Sequence, residues 1–187
     1  MSIPLTENAK AQLAHALDQR LVHTRQLFEH TRIAHWNLRG PWFSSRHSLF
    51  DDLSDHLRRH ADQLAERAGA LGKPANVTMT AEETFHPMPE GFLSGQTAIR
   101  CVAENLAKHS AMLRETHKLA EQTQDPPTAD LLVSVLTQIE TDLWMLRSHI
   151  PITGDPAVAD ADSKTMPSLH DSMTLPVPQG TPVAANV

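Results

Sequence analysis

The sequence predicts an all-α protein, because it is poor in the residues that sheets and tight turns use most. Of its 187 residues, 7 are glycine, 4% are aromatic and none is tyrosine. β-Sandwiches and barrels need many turns and many aromatic strand residues, so both are disfavoured. Hydrophobic residues make up 40% and charged residues 20%, which is typical of a soluble globular protein. A chain of this length buries a sizeable core.

Apolar residues at helical spacing predict two long helices in the first part of the chain. The first runs from about Thr6 to Leu38 and stops before Gly40-Pro41. The second is capped by Ser44 or Ser45 and ends at Gly72. Their expected core positions include Leu13, Leu17, Leu21 and Phe28 in the first helix and Leu49, Leu53, Leu57 and Leu64 in the second.

Two more helices follow a long irregular connection. Residues 73–94 contain three prolines and leave room for one short helical turn at 81–84, so they predict a crossover. The third helix stops at Asp125-Pro126-Pro127, and the fourth runs from about Thr128 to Ile150. Their expected core positions include Ile99, Val102, Leu106, Leu113, Leu132, Val135, Ile139, Leu143 and Leu146. Connections in the order short, long, short predict a four-helix bundle of the ferritin-like kind.

The chain divides at Pro151. Residues 1–150 form the predicted bundle domain, whereas residues 151–187 are rich in Pro, Ala, Asp, Ser and Thr and predict an irregular acidic tail. The single cysteine, Cys101, excludes an intrachain disulfide and a cysteine-rich zinc site. No apolar run resembles a signal peptide or spans a bilayer, so we expect a cytoplasmic protein without a membrane partner.

The second helix carries two pairs of candidate metal ligands at a spacing of four residues. His47 pairs with Asp51, and Asp62 pairs with Glu66, so the members of each pair share a helical face. Asp51 and Asp62 are separated by about three turns plus roughly 20°, which places both pairs on one stripe, about 16 Å apart. One chain therefore does not close a single site with both pairs.

Two antiparallel copies of this helix close two equivalent sites. His47 and Glu66 lie equally far from a point between His56 and Leu57, as do Asp51 and Asp62. A two-fold axis at that point sets each ligand pair opposite the other pair of the second copy. His35, at the end of the first helix, adds an imidazole to the half with His47 and Asp51.

The donor set of two imidazoles and three carboxylates suits iron better than a structural zinc ion. The alternative is that both pairs only form a solvated helix face, but their symmetric placement beside His35 favours ligation. A di-iron site inside the bundle needs Glu-x-x-His on two core helices. The one such match, Glu83 to His86, falls in the crossover, so we do not expect an intra-bundle site.

Several motifs together closely resemble the Dps miniferritins over about residues 6–150. They are AHWNLRG at 34–40, Phe43 and His47, LFD at 49–51, Asp62 with Glu66-Arg67, Leu71-Gly72, and a fourth helix that begins TADLL at 128–132 and continues to Leu143-Trp144. The resemblance implies a dodecameric shell around a mineral cavity, with ferroxidase sites at two-fold interfaces. It implies that His35, His47 and Asp51 come from one subunit and Asp62 and Glu66 from its neighbour. It also implies that up to two ferrous ions per site are oxidised, typically by hydrogen peroxide in preference to oxygen, and stored as ferric oxide.

Two further residues have two interpretations each. Trp36 either lies beside the site and takes up stray oxidising equivalents or, as we favour, is a buried packing residue. Asp130 either lies in an acidic pore, as the resemblance implies, or only favours the helix dipole from the first turn of the fourth helix. His56 and His60 point away from the ligand stripe, which predicts surface or packing roles. The same roles are expected for His15, His23, His30, His86, His109, His117 and His149.

A structural shell that compacts DNA is the alternative function. The net charge of −6 and the pI of about 6.0 provide no global positive field, although they allow a local basic patch. Glu7 and Lys10 cancel at the N-terminus, and the tail holds four aspartates against one lysine. Binding to DNA requires several cations on one face, and neither end supplies them. DNA binding and association with the nucleoid are therefore open but not favoured.

Overall fold

The computed structural model describes residues 4–75 and 85–150, which form four long helices and two short strands. The elements are α1 (Glu7–Asn37), β1 (Leu38–Arg39), α2 (Phe43–Ala70), β2 (Leu93–Ser94), α3 (Gly95–Gln122) and α4 (Pro126–Arg147). The all-α prediction and the four-helix order are confirmed. The helical turn predicted at 81–84 and the tail at 151–187 lie outside the described residues. Within those residues, no helix is both long enough and apolar enough to cross a membrane.

The helices pack as a bundle around a leucine-rich core. α1 lies along both α2 and α3, and α4 lies against α3 and, over a shorter stretch, against α2. The largest fully buried side chains are Phe50, Leu13, Leu17, Leu27, Leu38, Leu57, Leu64, Ile99, Leu106, Leu113, Leu132 and Ile139. Most of the expected core positions are among the buried residues, whereas Phe28 and Leu49 are only partly buried.

The start of α2 differs from the prediction. Its N-cap is Trp42, which adopts a left-handed conformation with φ of 61° and caps no backbone N–H with its side chain. The predicted caps, Ser44 and Ser45, are wrong because the helix already begins at Phe43. The Ser45 hydroxyl lies inside the first turn and donates to the Trp42 carbonyl at 3.0 Å. The predicted end is close to the observed one, since Gly72 has φ of +91° just beyond the helix.

A short parallel ladder lies at the end of the bundle where α1 ends and α3 begins. Leu38 of β1 pairs with Leu93 of β2, directly after α1 and directly before α3. Two residues are too few to show strand alternation, so the sequence pattern did not predict this ladder. The ladder ties the end of the crossover to the end of α1.

The start of α4 is fixed by proline and by a buried ion pair. Pro126 is the first residue of α4 and precedes the predicted start by two residues. Proline is tolerated in the first helical turn, because the backbone N–H that it lacks has no partner within the helix there. The preceding Asp125 carboxylate is buried and accepts a hydrogen bond from Arg67 Nη2 at 2.6 Å. Arg67 Nε also donates to the Thr128 hydroxyl at 2.8 Å. These contacts join the end of α2 to the start of α4.

Candidate metal centre

Two of the predicted ligands, His35 and His47, lie stacked where α1 and α2 meet. Their ring centroids are 3.6 Å apart, with 26° between the planes. His35 Nδ1 lies 3.1 Å from the His47 carbonyl oxygen, and His47 Nδ1 lies 3.2 Å from the His35 carbonyl oxygen. A carbonyl oxygen only accepts, so both Nδ1 atoms carry the proton. Each Nε2 then keeps a lone pair, which is the form of imidazole that binds a metal ion.

The third residue of this cluster, Asp51, is held by an arginine. Its Oδ1 lies 3.9 Å from His35 Nδ1 and accepts a hydrogen bond from Arg32 Nη1 at 2.8 Å. The carboxylate is largely exposed, which leaves it open to an incoming ion. Arg32 was not identified from the sequence, although its position three residues before His35 places it on the same face of α1.

Trp36 is exposed, and the preferred sequence interpretation is therefore wrong. In the single chain the indole is 60% exposed, because Trp36 lies on the outer face of the last turn of α1, whereas its neighbours Ala34 and His35 are buried. The guanidinium of Arg32 lies over its ring at 5.1 Å from the centroid. Trp36 thus contacts the same arginine that holds Asp51, and its role beside the site stays a prediction.

The environment of His35 favours its neutral imidazole. Burial, followed by the charge of the neighbouring His47, lowers the pKa of His35, and the Arg32 guanidinium acts in the same direction. Phe43 stacks on the outer side of His47 with 5.0 Å between ring centroids. A neutral ring with a free Nε2 binds a divalent cation without first losing a proton.

Asp62 and Glu66 lie farther along α2 and are exposed. Within residues 4–75 and 85–150 of one chain, no three His, Cys, Asp or Glu side chains surround a point that would hold a metal ion. The structure places His35, His47 and Asp51 near one another, though not around one common point, and leaves Asp62 and Glu66 apart from them. The prediction that the two groups form one site therefore depends on a second copy of the chain.

The remaining candidates have simpler surroundings. Asp130 is exposed in the second turn of α4, so the predicted dipole role in the first turn is wrong; the pore role is untested. His56 Nδ1 pairs with Asp142 Oδ1 at 2.9 Å, between α2 and α4. Burial, with the charges of His56 and Arg59, lowers the pKa of His60 to about 4. Both histidines therefore have packing roles, as predicted.

Comparison with known proteins identifies the family. The ferritin-like domain family matches residues 14–152. The chain is 30% identical to DNA protection during starvation protein 2 of Bacillus anthracis, over 74% of this chain and 97% of that protein. It is 28% identical to the DNA protection during starvation protein of Agrobacterium fabrum, over 78% of this chain and 92% of that protein.

Solved structures agree with this assignment. DpsA14 from Streptomyces coelicolor superposes with a TM-score of 0.76 at 28% identity, over 82% of this chain and 93% of that one. Dps from Microbacterium arborescens, in its high iron form, superposes with a TM-score of 0.71 at 27% identity, over 80% and 97% of the two chains. With the four-helix bundle and the histidine pair at the end of α1, these matches show that the chain belongs to the Dps miniferritins of the ferritin-like family.

Proposed function

We propose that this protein is an iron-storage miniferritin that oxidises ferrous iron at sites shared by two subunits and keeps the ferric product inside a dodecameric shell in the cytoplasm. The observation that carries the proposal is the stacked pair His35 and His47 beside Asp51, with both Nε2 atoms available to a cation. The Microbacterium arborescens relative, solved in a high iron form, supports iron as the substrate.

A two-fold axis through α2 adds the carboxylates that complete the proposed site. A two-fold axis between His56 and Leu57 sets Asp62 and Glu66 of a second copy opposite His47 and Asp51 of the first. Both carboxylates are exposed on α2 and have no ion-pair partner among the described residues. A dimer of antiparallel α2 helices therefore contains two identical sites, each with two imidazoles and three carboxylates.

The chemistry follows from this donor set. Neutral imidazole and carboxylate bind ferrous iron, and the added negative charge stabilises the ferric product more than the ferrous substrate. Hydrogen peroxide takes one electron from each of two ferrous ions and, with two protons, leaves as two water molecules. The reaction consumes both reagents that generate hydroxyl radicals, and so protects the cell from oxidative damage.

Carboxylate variants test the proposal. Asp62→Ala and Glu66→Ala remove exposed side chains, so both proteins should fold and assemble normally, as native mass spectrometry will show. Ferrous oxidation by peroxide should slow by at least about tenfold in each. The matched control is Asp52→Asn, which changes an exposed carboxylate of α2 about 100° away from Asp51 around the helix. Oxidation rates that match those of the control would refute the assigned ligands.

DNA compaction remains the alternative function. Relatives of this chain carry names that refer to DNA protection. The excess of aspartate over lysine in residues 151–187 opposes contact with a phosphate backbone. We therefore propose that protection works through iron rather than through DNA. A gel shift at low salt with the iron-free protein should show no retarded duplex, and a retarded band would favour the alternative.

A further inference from the structure

A basic cavity lies between α3, α4 and the end of the crossover. Its volume is about 390 Å³, and its wall includes Arg100, Lys108, Arg147 and His86. Among the described residues of that wall, Glu104 is the one carboxylate. The local charge is therefore positive, in a chain whose net charge is −6. None of these residues belongs to the metal centre.

Among the residues that the structure describes, the cations of this cavity have no carboxylate partner. Across residues 4–75 and 85–150, no carboxylate lies within ion-pair distance of Arg100, Lys108 or Arg147. Glu104 is four residues from both Arg100 and Lys108 on α3, a spacing that permits a helical ion pair, yet it forms neither. Three like charges around one cavity repel one another, and an anion between them relieves the repulsion.

The His86 side of the cavity wall is anchored to α3. The buried Asn105 side chain accepts a hydrogen bond from the His86 backbone N–H at 2.9 Å and donates to the His86 carbonyl at 2.8 Å. His86 is thereby fixed against α3, beside the cavity. The small side chains of Ala103 and Ala107 line the wall between the cations, so they leave room for a ligand.

We propose that this cavity binds a dianionic phosphate group. Two guanidinium groups and one ammonium group match the charge and the several acceptor oxygens of a phosphate dianion, and arginine binds such oxygens through two N–H groups at once. A concave site with converging cations suits a terminal phosphate better than the single charges spaced along a nucleic-acid backbone. The ligand is free phosphate or the terminal phosphate of a small phosphomonoester.

The binding test uses full-length, assembled, iron-free protein, so it is independent of the proposed iron chemistry. Inorganic phosphate is titrated at low ionic strength and followed by calorimetry and by ³¹P line broadening. Wild-type protein should bind phosphate saturably, and the double variant Arg100→Gln/Arg147→Gln should bind at least about tenfold more weakly. The control Arg114→Gln, on α3 but paired with Glu140, should bind like the wild type. Equal binding by the double variant and the control would overturn the proposal.

A variant that binds phosphate more tightly distinguishes a role of the cavity in binding from a role in folding. Glu104→Gln removes the one carboxylate of the cavity and should tighten phosphate binding by about threefold or more, which a destabilised protein would not do. Binding that is unchanged or weaker in this variant would contradict the proposal. AMP, added as a competitor, distinguishes the source: displacement of phosphate assigns the site to a phosphomonoester, and lack of displacement to the free ion. If duplex DNA binds while neither phosphate nor AMP does, the proposal is wrong.

Discussion

At the scale of single residues, two histidines and an arginine determine the geometry of the candidate metal centre. Each histidine donates its Nδ1–H to the backbone carbonyl of the other, which fixes both tautomers before any cation arrives. Arg32 meanwhile occupies one oxygen of Asp51 at 2.8 Å. A cation that binds Asp51 must therefore compete with a guanidinium group that is always charged.

The variant Arg32→Gln tests this competition. Removal of the guanidinium charge should tighten binding of a redox-inert probe, Co²⁺, by about threefold to tenfold. Calorimetry on the assembled protein measures the dissociation constant, with Arg25→Gln, an exposed change on the same helix, as the control. If the variant binds Co²⁺ more weakly than the control does, Arg32 holds Asp51 in place for the metal instead of competing with it.

The sequence predicted that His35, His47 and Asp51 lie near one another, but it did not predict all of their surroundings. His35, His47 and Asp51 were found because their spacing places them on facing sides of two helices. Arg32 belongs to no sequence motif, and its contact with Asp51 is apparent only when α1 and α2 pack together. The exposure of Trp36 was missed because tryptophan is large and apolar, yet it lies on the face of the last turn of α1 opposite the buried Ala34 and His35.

At the scale of elements, α2 contains most of the residues on which the predicted assembly depends. Its apolar positions were predictable because leucine recurs at helical spacing over many turns. Its first residue was not, because Trp42 adopts a left-handed conformation with no sequence signal. The β1–β2 ladder was also unpredictable, since it forms between segments that are distant in the sequence.

The charge pair Asp55 and Arg58 tests the antiparallel register of α2. The two residues are symmetric about the same point as the ligands, so each should face the other residue of the second copy. Within one chain, Arg58 Nε lies 3.9 Å from Asp55 Oδ1, and both side chains are mostly exposed. Arg58→Glu should weaken dimers, and adding Asp55→Arg to the same chain should restore them. The effect is small, because exposed pairs contribute about 0–1 kcal/mol.

A mixture of two single variants shows whether this charge pair acts within one chain or between two chains. In the single variants Arg58→Glu and Asp55→Arg, the charges within each chain repel. A heterodimer of the two nevertheless brings opposite charges together across the axis. Native mass spectrometry should therefore show more heterodimer than random pairing gives. A random distribution would show that the pair plays no part in the register.

At the scale of the whole molecule, the connection lengths predicted the bundle, and the structure confirmed it. The shell and its two-fold axes remain predictions, because they depend on contacts between chains. Inside the bundle, several histidines are kept neutral. Burial, with the charge of Arg20, lowers the pKa of His23 to about 4, and burial lowers the pKa of His109 well below its usual value. His60 also has a pKa of about 4.

These histidines predict that the fold loses stability in acid. Below pH 6.5 the unfolded chain binds protons that the folded chain does not bind until about pH 4, so the free energy of unfolding falls between these values. His60→Gln should reduce the difference in unfolding free energy between pH 7 and pH 5 by about 1–2 kcal/mol. Urea denaturation at a fixed protein concentration measures it, with His149→Gln as the control. Equal pH dependence in the two variants would contradict this explanation.

The most direct test of the shared site combines two inactive subunits. His47→Ala/Asp51→Ala lacks one half of each site, and Asp62→Ala/Glu66→Ala lacks the other half. When the two variants are co-expressed, each mixed dimer has one intact site, so peroxide-dependent iron oxidation should return to about a quarter of the wild-type rate. Co-expression of His47→Ala/Asp51→Ala with His35→Ala, which removes a ligand from the same half, should restore nothing. If the first mixture is no more active than its separate components, the two halves do not form one site and the central claim is wrong.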